Sequence, residues 1–420
     1  MLTIITAVFY FIPAIYSLIK NPISCRSVFF VYTTLGAWLY CFFLEFGFLG
    51  GEHLIANWVL TFDDVPWVEF SLLNFLIFIF SRPLNGRVFN RPGLAKASIN
   101  LNVVFYIAFS SVLLESLLVY EVYDGINNFI KASYSRVAVD DSRVNFIFPL
   151  VILSNILVTF LFASIKGALL SKKGFFFYIS LVLYQFLFTL LAGGRSLALL
   201  LLLGFIIIHY KKFRNIGLFK SMLILTCVVL ASGYMIYKRL ETQEATTSFE
   251  LNTSSVIEAS YTGLPMIDHL GLSKLYVEQE GYDFGEVYLN ALMSFIPRSI
   301  WKEKPIQLSR KVRLVFWGDD KGGIPPGIFG EAYISFGVIG LLMVSLLFAR
   351  LLLITDIYIN KSKLELINLV RKAIFPTSVG FILVRGGVDI GIFRVGMIVF
   401  FYILIERYLL SRNIIGIKND

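Results

Sequence analysis

Few residues in this chain have types and positions suited to chemistry. Three arginines stand beside glycines or at the edge of an apolar run. They are Arg195 in Leu-Ala-Gly-Gly-Arg-Ser, Arg385 in Val-Arg-Gly-Gly-Val-Asp, and Arg394, which opens the last apolar run. A guanidinium is a permanent cation with a planar fork of donors, suited to phosphate. Glycines beside it allow sharp turns and close backbone approach. Six further bases, Arg298, Lys302, Lys304, Arg310, Lys311 and Arg313, fall in one stretch that holds a single acid, Glu303. The segment before them has the opposite sign, with nine acids from Glu241 to Glu286 against Lys274 alone. The arginines and the basic stretch together read as a site for an anionic ligand, with phosphate or pyrophosphate as the natural candidate. Proton transfer would need an acid–base group near that charge. Asp268, the adjoining His269, and Glu331 in Phe-Gly-Glu-Ala-Tyr-Ile-Ser-Phe-Gly qualify by position.

Other chemistry lacks its residues. The chain has no Walker A motif, HExxH, GxSxG or kinase set. No His/Cys/Asp cluster has metal-ligand spacing, so neither a metal nor a cofactor is expected. The three cysteines exclude a disulfide framework. The bases are spread over many short loops, which gives no footprint for nucleic acid. Without a nucleotide site, a transfer reaction needs a substrate that arrives already activated.

The elements that must position these residues follow from composition. The chain has 420 residues, 57% hydrophobic and only 15% charged. A soluble domain usually carries about 25% charged residues. A membrane-spanning helix needs roughly 20 apolar residues to cross about 30 Å of hydrocarbon. Eleven runs qualify, near 2–19, 28–49, 66–81, 102–120, 144–165, 174–192, 196–210, 219–237, 328–350, 373–389 and 393–410. The expected fold is an all-α polytopic membrane protein of about eleven transmembrane helices. The loops alternate in charge. Loop 82–101 holds Arg82, Arg87, Arg91 and Lys96 without an acid, whereas loop 50–65 holds Glu52, Asp63 and Asp64 without a base. Basic loops stay in the cytoplasm. That rule puts the N-terminus outside and the C-terminus inside, and it accounts for most of the net charge of +9.

One segment departs from the pattern. Residues 1–237 hold the first eight spans and 328–420 the last three, with a long external loop over 238–327 between them. It contains amphipathic runs near 255–277 and 286–296, read as helices at the membrane surface. Its basic stretch lies on the face where the positive-inside trend expects none. Arg195, Arg385 and Arg394 fall on that same outer side.

Two motifs carry a resemblance. Phe295-Ile-Pro-Arg-Ser-Ile-Trp-Lys-Glu-Lys-Pro305 resembles the segment IPR-x-x-W-x-(D/E)-K-P of Wzy-type O-antigen polymerases, also called oligosaccharide repeat unit polymerases. Gly330-Glu-Ala-Tyr-Ile-Ser-Phe-Gly-Val-Ile-Gly340 resembles that family's GE-x-Y-x-x-FG-x-x-G, and Gly-Gly-Arg-Ser at 193–196 is similar to its G-x-R-S. The likeness covers about 190–345. Two positions depart from the pattern. Met266 stands where relatives carry an arginine two residues before the aspartate, and Lys302 stands where a proline commonly follows the tryptophan.

The resemblance implies a GT-C-like, metal-independent glycosyltransferase of the bacterial inner membrane, with its active site facing the periplasm. Its donor would be a growing glycan on undecaprenyl pyrophosphate, and its acceptor the terminal hydroxyl of one lipid-linked repeat unit. Arg195, Arg298, Lys302, Lys304, Arg385 and Arg394 would hold the departing pyrophosphate as preorganised cations. Trp301 and Tyr333 would contact the glycan, and Asp268, His269 or Glu331 would orient or deprotonate the acceptor. Membrane lipids, a chain-length regulator and a flippase are the implied partners. An O-antigen ligase and a lipid-linked oligosaccharide flippase or transporter remain as alternatives.

Overall fold

The computed structural model describes residues 2–39, 53–55, 58–60, 67–82, 97–135, 143–165, 172–191, 195–208, 267–293, 296, 301, 303, 305–318, 323–412 and 414–417. They form helices, apart from four strands of three residues each: β1 (His53–Ile55), β2 (Trp58–Leu60), β3 (Ala97–Ile99) and β4 (Ile415–Ile417). The helices are α1 (Leu2–Lys20), α2 (Cys25–Thr33), α3 (Trp67–Phe80), α4 (Leu101–Tyr123), α5 (Ile126–Ser135), α6 (Val144–Ile165), α7 (Lys172–Leu191) and α8 (Arg195–Ile208). They continue with α9 (Ile267–Glu280), α10 (Glu286–Leu292), α11 (Leu308–Trp317), α12 (Gly327–Ile359), α13 (Glu365–Thr377), α14 (Val384–Gly386) and α15 (Phe393–Ser411). The described part of each apolar run read from the sequence is helical apart from the turn at Ser81; residues 40–49, 66, 192, 209–210 and the run 219–237 lie outside the described residues. Among the described residues, four helical stretches are long and apolar enough to cross a membrane: Leu101–Tyr123, Phe146–Ile165, Gly327–Ile359 and Glu365–Gly386.

The burial pattern is inside-out, as lipid requires. Along α12, Ile339, Met343 and Leu347 are 69%, 59% and 68% exposed, one turn apart on one face. On α4 and α6 the buried positions include Glu115, Ser154, Asn155 and Thr159. Polar groups within hydrocarbon must find partners inside the protein, while apolar ones lose nothing by facing lipid tails.

The chain forms two compact units. One comprises Met1–Asn90, Tyr261–Tyr358 and Phe375–Gly396; the other comprises Arg91–Ser260, Ile359–Ile374 and Met397–Asp420. In the first unit α1, α2, α3 and α12 share an aromatic core. Phe29 meets Phe348 with ring centroids 5.1 Å apart, and Phe329 sits 6.0 Å from both Phe348 and Phe70. Such edge-on pairs each contribute about 0.5–1.5 kcal/mol beyond simple burial. At one end of this unit Asp356 accepts hydrogen bonds from the Cys25 backbone N–H at 2.7 Å and from Arg26 Nε at 2.9 Å. Loop 20–27 and the end of α12 therefore lie at the same end, as their charge pattern requires. In the second unit α4, α6, α7 and α8 pack together, and β3 pairs antiparallel with β4, Ser98 opposite Gly416. That pairing joins loop 82–101 to the C-terminal tail, two segments the charges assign to one side. Arg371 reaches Tyr402 Oη at 3.0 Å and Glu406 at 2.8 Å in the same unit.

Two helices differ from the single spans expected. The run 328–350 is in two pieces. Phe336 and Gly337 leave helical geometry, Gly337 at φ +61° and ψ −143°, so a short piece starting at Gly327 precedes the long outward-facing helix. The run 373–389 is interrupted as well. Pro376 lacks a backbone donor, and the helix widens into a π-turn over Ser378–Leu383. It then breaks at Gly387, and a second π-stretch, Gly387–Ile392, leads into α15. π-turns of this kind occur frequently at functional sites.

The described part of the long segment before α12 packs together. Leu272 and Tyr276 of α9, Val287 of α10, and Leu308, Val312 and Phe316 of α11 enclose a small core with Ile334 of α12. The amphipathic run expected at 286–296 is helical over Glu286–Leu292. The run at 255–277 is helical from Ile267 onward, and its residues 255–266 lie outside the described residues. Helix α11 is new. Leu308, Val312 and Phe316 recur every four residues and point inward, and the bases between them turn outward. Lys311 pairs with Glu286 at 2.8 Å. That pair joins one residue of the acidic stretch to one of the basic stretch.

Candidate functional site

The helix break at Gly387 organises the site. Gly387 has φ +67° and ψ −168°, a conformation essentially reserved for glycine. The break frees the backbone N–H of Val388, and the Glu331 carboxylate accepts it through a short hydrogen bond. A Cβ at position 387 would overlap both carboxylate oxygens. Glu331 is fully buried. It sits behind the surface and ties the first piece of α12 to the broken helix. Tyr288 of α10 approaches from above, where burial and the nearby Glu331 and Asp283 charges raise its phenol above the ordinary value.

Close packing holds the first turn of α12 in place. Gly327, at φ +75°, lets the chain pass so near α14 that a Cβ would come within 2.9 Å of the Val384 carbonyl. Gly330 faces Ser273 of α9 so tightly that a side chain there would collide with the serine hydroxyl. That hydroxyl donates to the His269 carbonyl at 2.7 Å. The α9 helix is thereby seated over the break with His269 at its first turn.

A small, partly open cleft lies at this junction and is lined by Tyr32, His269, Pro326, Gly327, Phe329, Val384 and Arg385. His269 and Arg385 are both half-buried. Arg394, in the first turn of α15, is also half-buried and close enough to Arg385 for the two charges to repel. Arg385 brings a positive charge to the cleft wall, and Arg394 adds a second within electrostatic range of it. An anion near Arg385 would relieve that repulsion.

The residues singled out from sequence thus divide. His269 and Arg385 come together in the cleft, with Arg394 beside Arg385 and Glu331 beneath. Tyr333 is half-buried and turns elsewhere, within electrostatic range of Tyr282, Glu278 and Glu69. Trp301 is half-buried. Arg298, Lys302 and Lys304 lie outside the described residues, as do the side chains of Arg195 and Asp268. Arg310, Lys311 and Arg313 belong to α11, where Lys311 is engaged by Glu286. Tyr32, Phe329 and Val384 had no sequence signal, because each sits in an ordinary apolar run. Searched against protein-family models, curated proteins and solved structures, the chain matches none.

Proposed function

We propose that this chain is a membrane glycosyltransferase of about eleven spans and GT-C-like architecture. It would polymerise lipid-linked oligosaccharide repeat units at the outer face of a bacterial inner membrane. The observation that carries the reading is the pairing of Arg385 with Arg394 across a helix break, beside His269 in a partly open cleft. Those cations suit a pyrophosphate leaving group, whose charge grows as the glycosidic bond breaks. The motif likenesses at 295–305 and 330–340 support the same chemistry.

In this reading the glycan on undecaprenyl pyrophosphate is transferred to a hydroxyl of the incoming lipid-linked unit. The bond between the sugar and the pyrophosphate oxygen breaks, and its electron pair leaves with the pyrophosphate. The acceptor oxygen forms the new bond and gives up its proton. His269 is the group in the cleft able to take that proton. Glu331, occupied by the Val388 N–H, acts as a positioning residue that sets the break and hence Arg385.

The test is a deletion strain analysed for surface polysaccharide. The reading expects a single repeat unit on the lipid anchor with no longer polymer. Absence of any displayed unit would instead indicate a flippase or ligase and overturn it.

A further inference from the structure

The second unit buries a carboxylate that the proposed transfer does not use. Glu115 lies inside α4 and is fully buried, as are Ser154 of α6 and Gln185 of α7 beside it. The Ser154 hydroxyl lies 3.3 Å from Glu115 Oε2 and is shared with the Val151 carbonyl at 3.0 Å. Glu115 Oε1 and both polar atoms of the Gln185 amide make no hydrogen bond of good geometry, although the amide lies within reach of the carboxylate. Next to them Ser116 and Tyr184 join their hydroxyls at 2.6 Å. Tyr184 is the titratable side chain facing the carboxylate, and α5 and α6 present no charged side chain to it. The same helices turn Leu113, Leu117, Leu183 and Leu187 outward.

An ionised carboxylate at membrane depth is costly unless a positive charge compensates it. Among the described residues no Lys, Arg or His pairs with Glu115. Its immediate partners are neutral oxygens and an amide. We propose that Glu115, Ser154 and Gln185 form an intramembrane site for a small monovalent cation, either a proton or a sodium ion. A proton would make the carboxyl a donor to Gln185 Oε1. A sodium ion would take the carboxylate, the Gln185 carbonyl and the Ser154 hydroxyl as ligands, a set of hard oxygens suited to a hard cation. Either occupant satisfies atoms that otherwise make no hydrogen bond of good geometry, and each makes the charge of the α4–α6–α7 bundle depend on the surrounding cation.

The experiment uses the full chain in phosphatidylcholine vesicles and a hydrophobic carbodiimide. A protonated carboxyl adds its O–H across one C=N bond of the reagent. The acyl group then migrates to nitrogen, and a stable N-acylurea remains with nothing expelled. Peptide mass spectrometry reads the adduct on Glu115. A proton site predicts that labelling is lost as pH rises and is indifferent to sodium chloride against choline chloride. A sodium site predicts loss of labelling with sodium at fixed pH. Glu115→Gln removes the adduct in either case, and Gln185→Leu raises the sodium concentration, or shifts the pH, at which labelling is lost. Thermal unfolding of wild type and Glu115→Gln against pH and sodium gives an independent readout, and the wild type should show a dependence on pH or sodium beyond that of the variant. Labelling insensitive to both pH and sodium would overturn the proposal. So would an absence of labelling together with identical unfolding responses in wild type and Glu115→Gln.

Discussion

Replacing Gly387 by alanine tests the geometry on which the site depends. Its φ of +67° and ψ of −168° lie where a side chain costs about 1–3 kcal/mol in backbone strain. The new Cβ would also land on the Glu331 carboxylate. The acid would have to withdraw and give up the Val388 N–H, a charge-assisted bond contributing about 1.5–3 kcal/mol. The two losses sum to about 2.5–6 kcal/mol, at the upper end of single-residue effects. The assay is unfolding of the purified protein in detergent, followed by tryptophan fluorescence. Gly396→Ala is the control, since that glycine lies in α15 and a Cβ there meets nothing within 4 Å. Its expected change is a gain of about 0.5–1 kcal/mol from helix propensity. Glu331→Ala alone loses the same hydrogen bond, so the double variant should fall short of additivity by about 1.5–3 kcal/mol. Equal stability of the two glycine variants, or strict additivity of the double, would refute the contact between Gly387 and Glu331.

Further outcomes follow from the same coordinates. Arg385→Ala should abolish polymer while the protein stays in the membrane at wild-type level; polymer of normal length in the surface polysaccharide profile would remove the pyrophosphate assignment. Leu272→Ala, deep in the outer layer, should cost about 2–5 kcal/mol and open α9–α11 to limited proteolysis, whereas Leu292→Ala, 75% exposed, should leave the digestion pattern unchanged. Lys311 holds the Glu286 carboxyl below its ordinary value, so this pair contributes stability above the unfolded carboxylate range and loses it as pH falls through the depressed value. Both side chains are partly exposed, so the contribution is under about 1 kcal/mol, and the wild-type advantage over Glu286→Gln in melting temperature should vanish in acid. Burial, with Glu280, Asp283 and Glu286 nearby, pushes the Tyr276 phenol up to about 12. Stability should therefore decline as pH climbs from the free phenol value of about 10 through that raised value, and Tyr276→Phe should flatten the decline.

The parts of the fold that were legible share a physical basis. Apolar run length and loop charge are properties of local sequence, and lipid acts on each segment almost independently. The helices of 102–120 and 144–165 could be placed for that reason. The pairing of β3 with β4, which joins loop 82–101 to the C-terminal tail, had no sequence signal, because both segments are basic and far apart in the chain. The break at Gly387 was less legible. Two adjacent glycines beside an arginine suggested a turn, but not that a carboxylate from another helix would fill it. Helix α11 reads from the sequence as a basic cluster, because its three bases interrupt the apolar residues and leave Leu308, Val312 and Phe316 as a short repeat without a long apolar run.

Composition and order of residues by themselves determined that the chain is helical, apolar outward and rich in membrane-edge arginines. They also picked out Arg385, Arg394, His269 and Glu331 as the residues to watch. Only the tertiary structure decided how these four divide, with His269 and Arg385 in a cleft, Arg394 against Arg385, and Glu331 buried as the partner of a freed backbone N–H. The reason is that a side chain's role depends on what faces it across space. The faces that meet at this site come from α2, α9, α12 and the helix break, separated along the chain by distances over which no local pattern carries information.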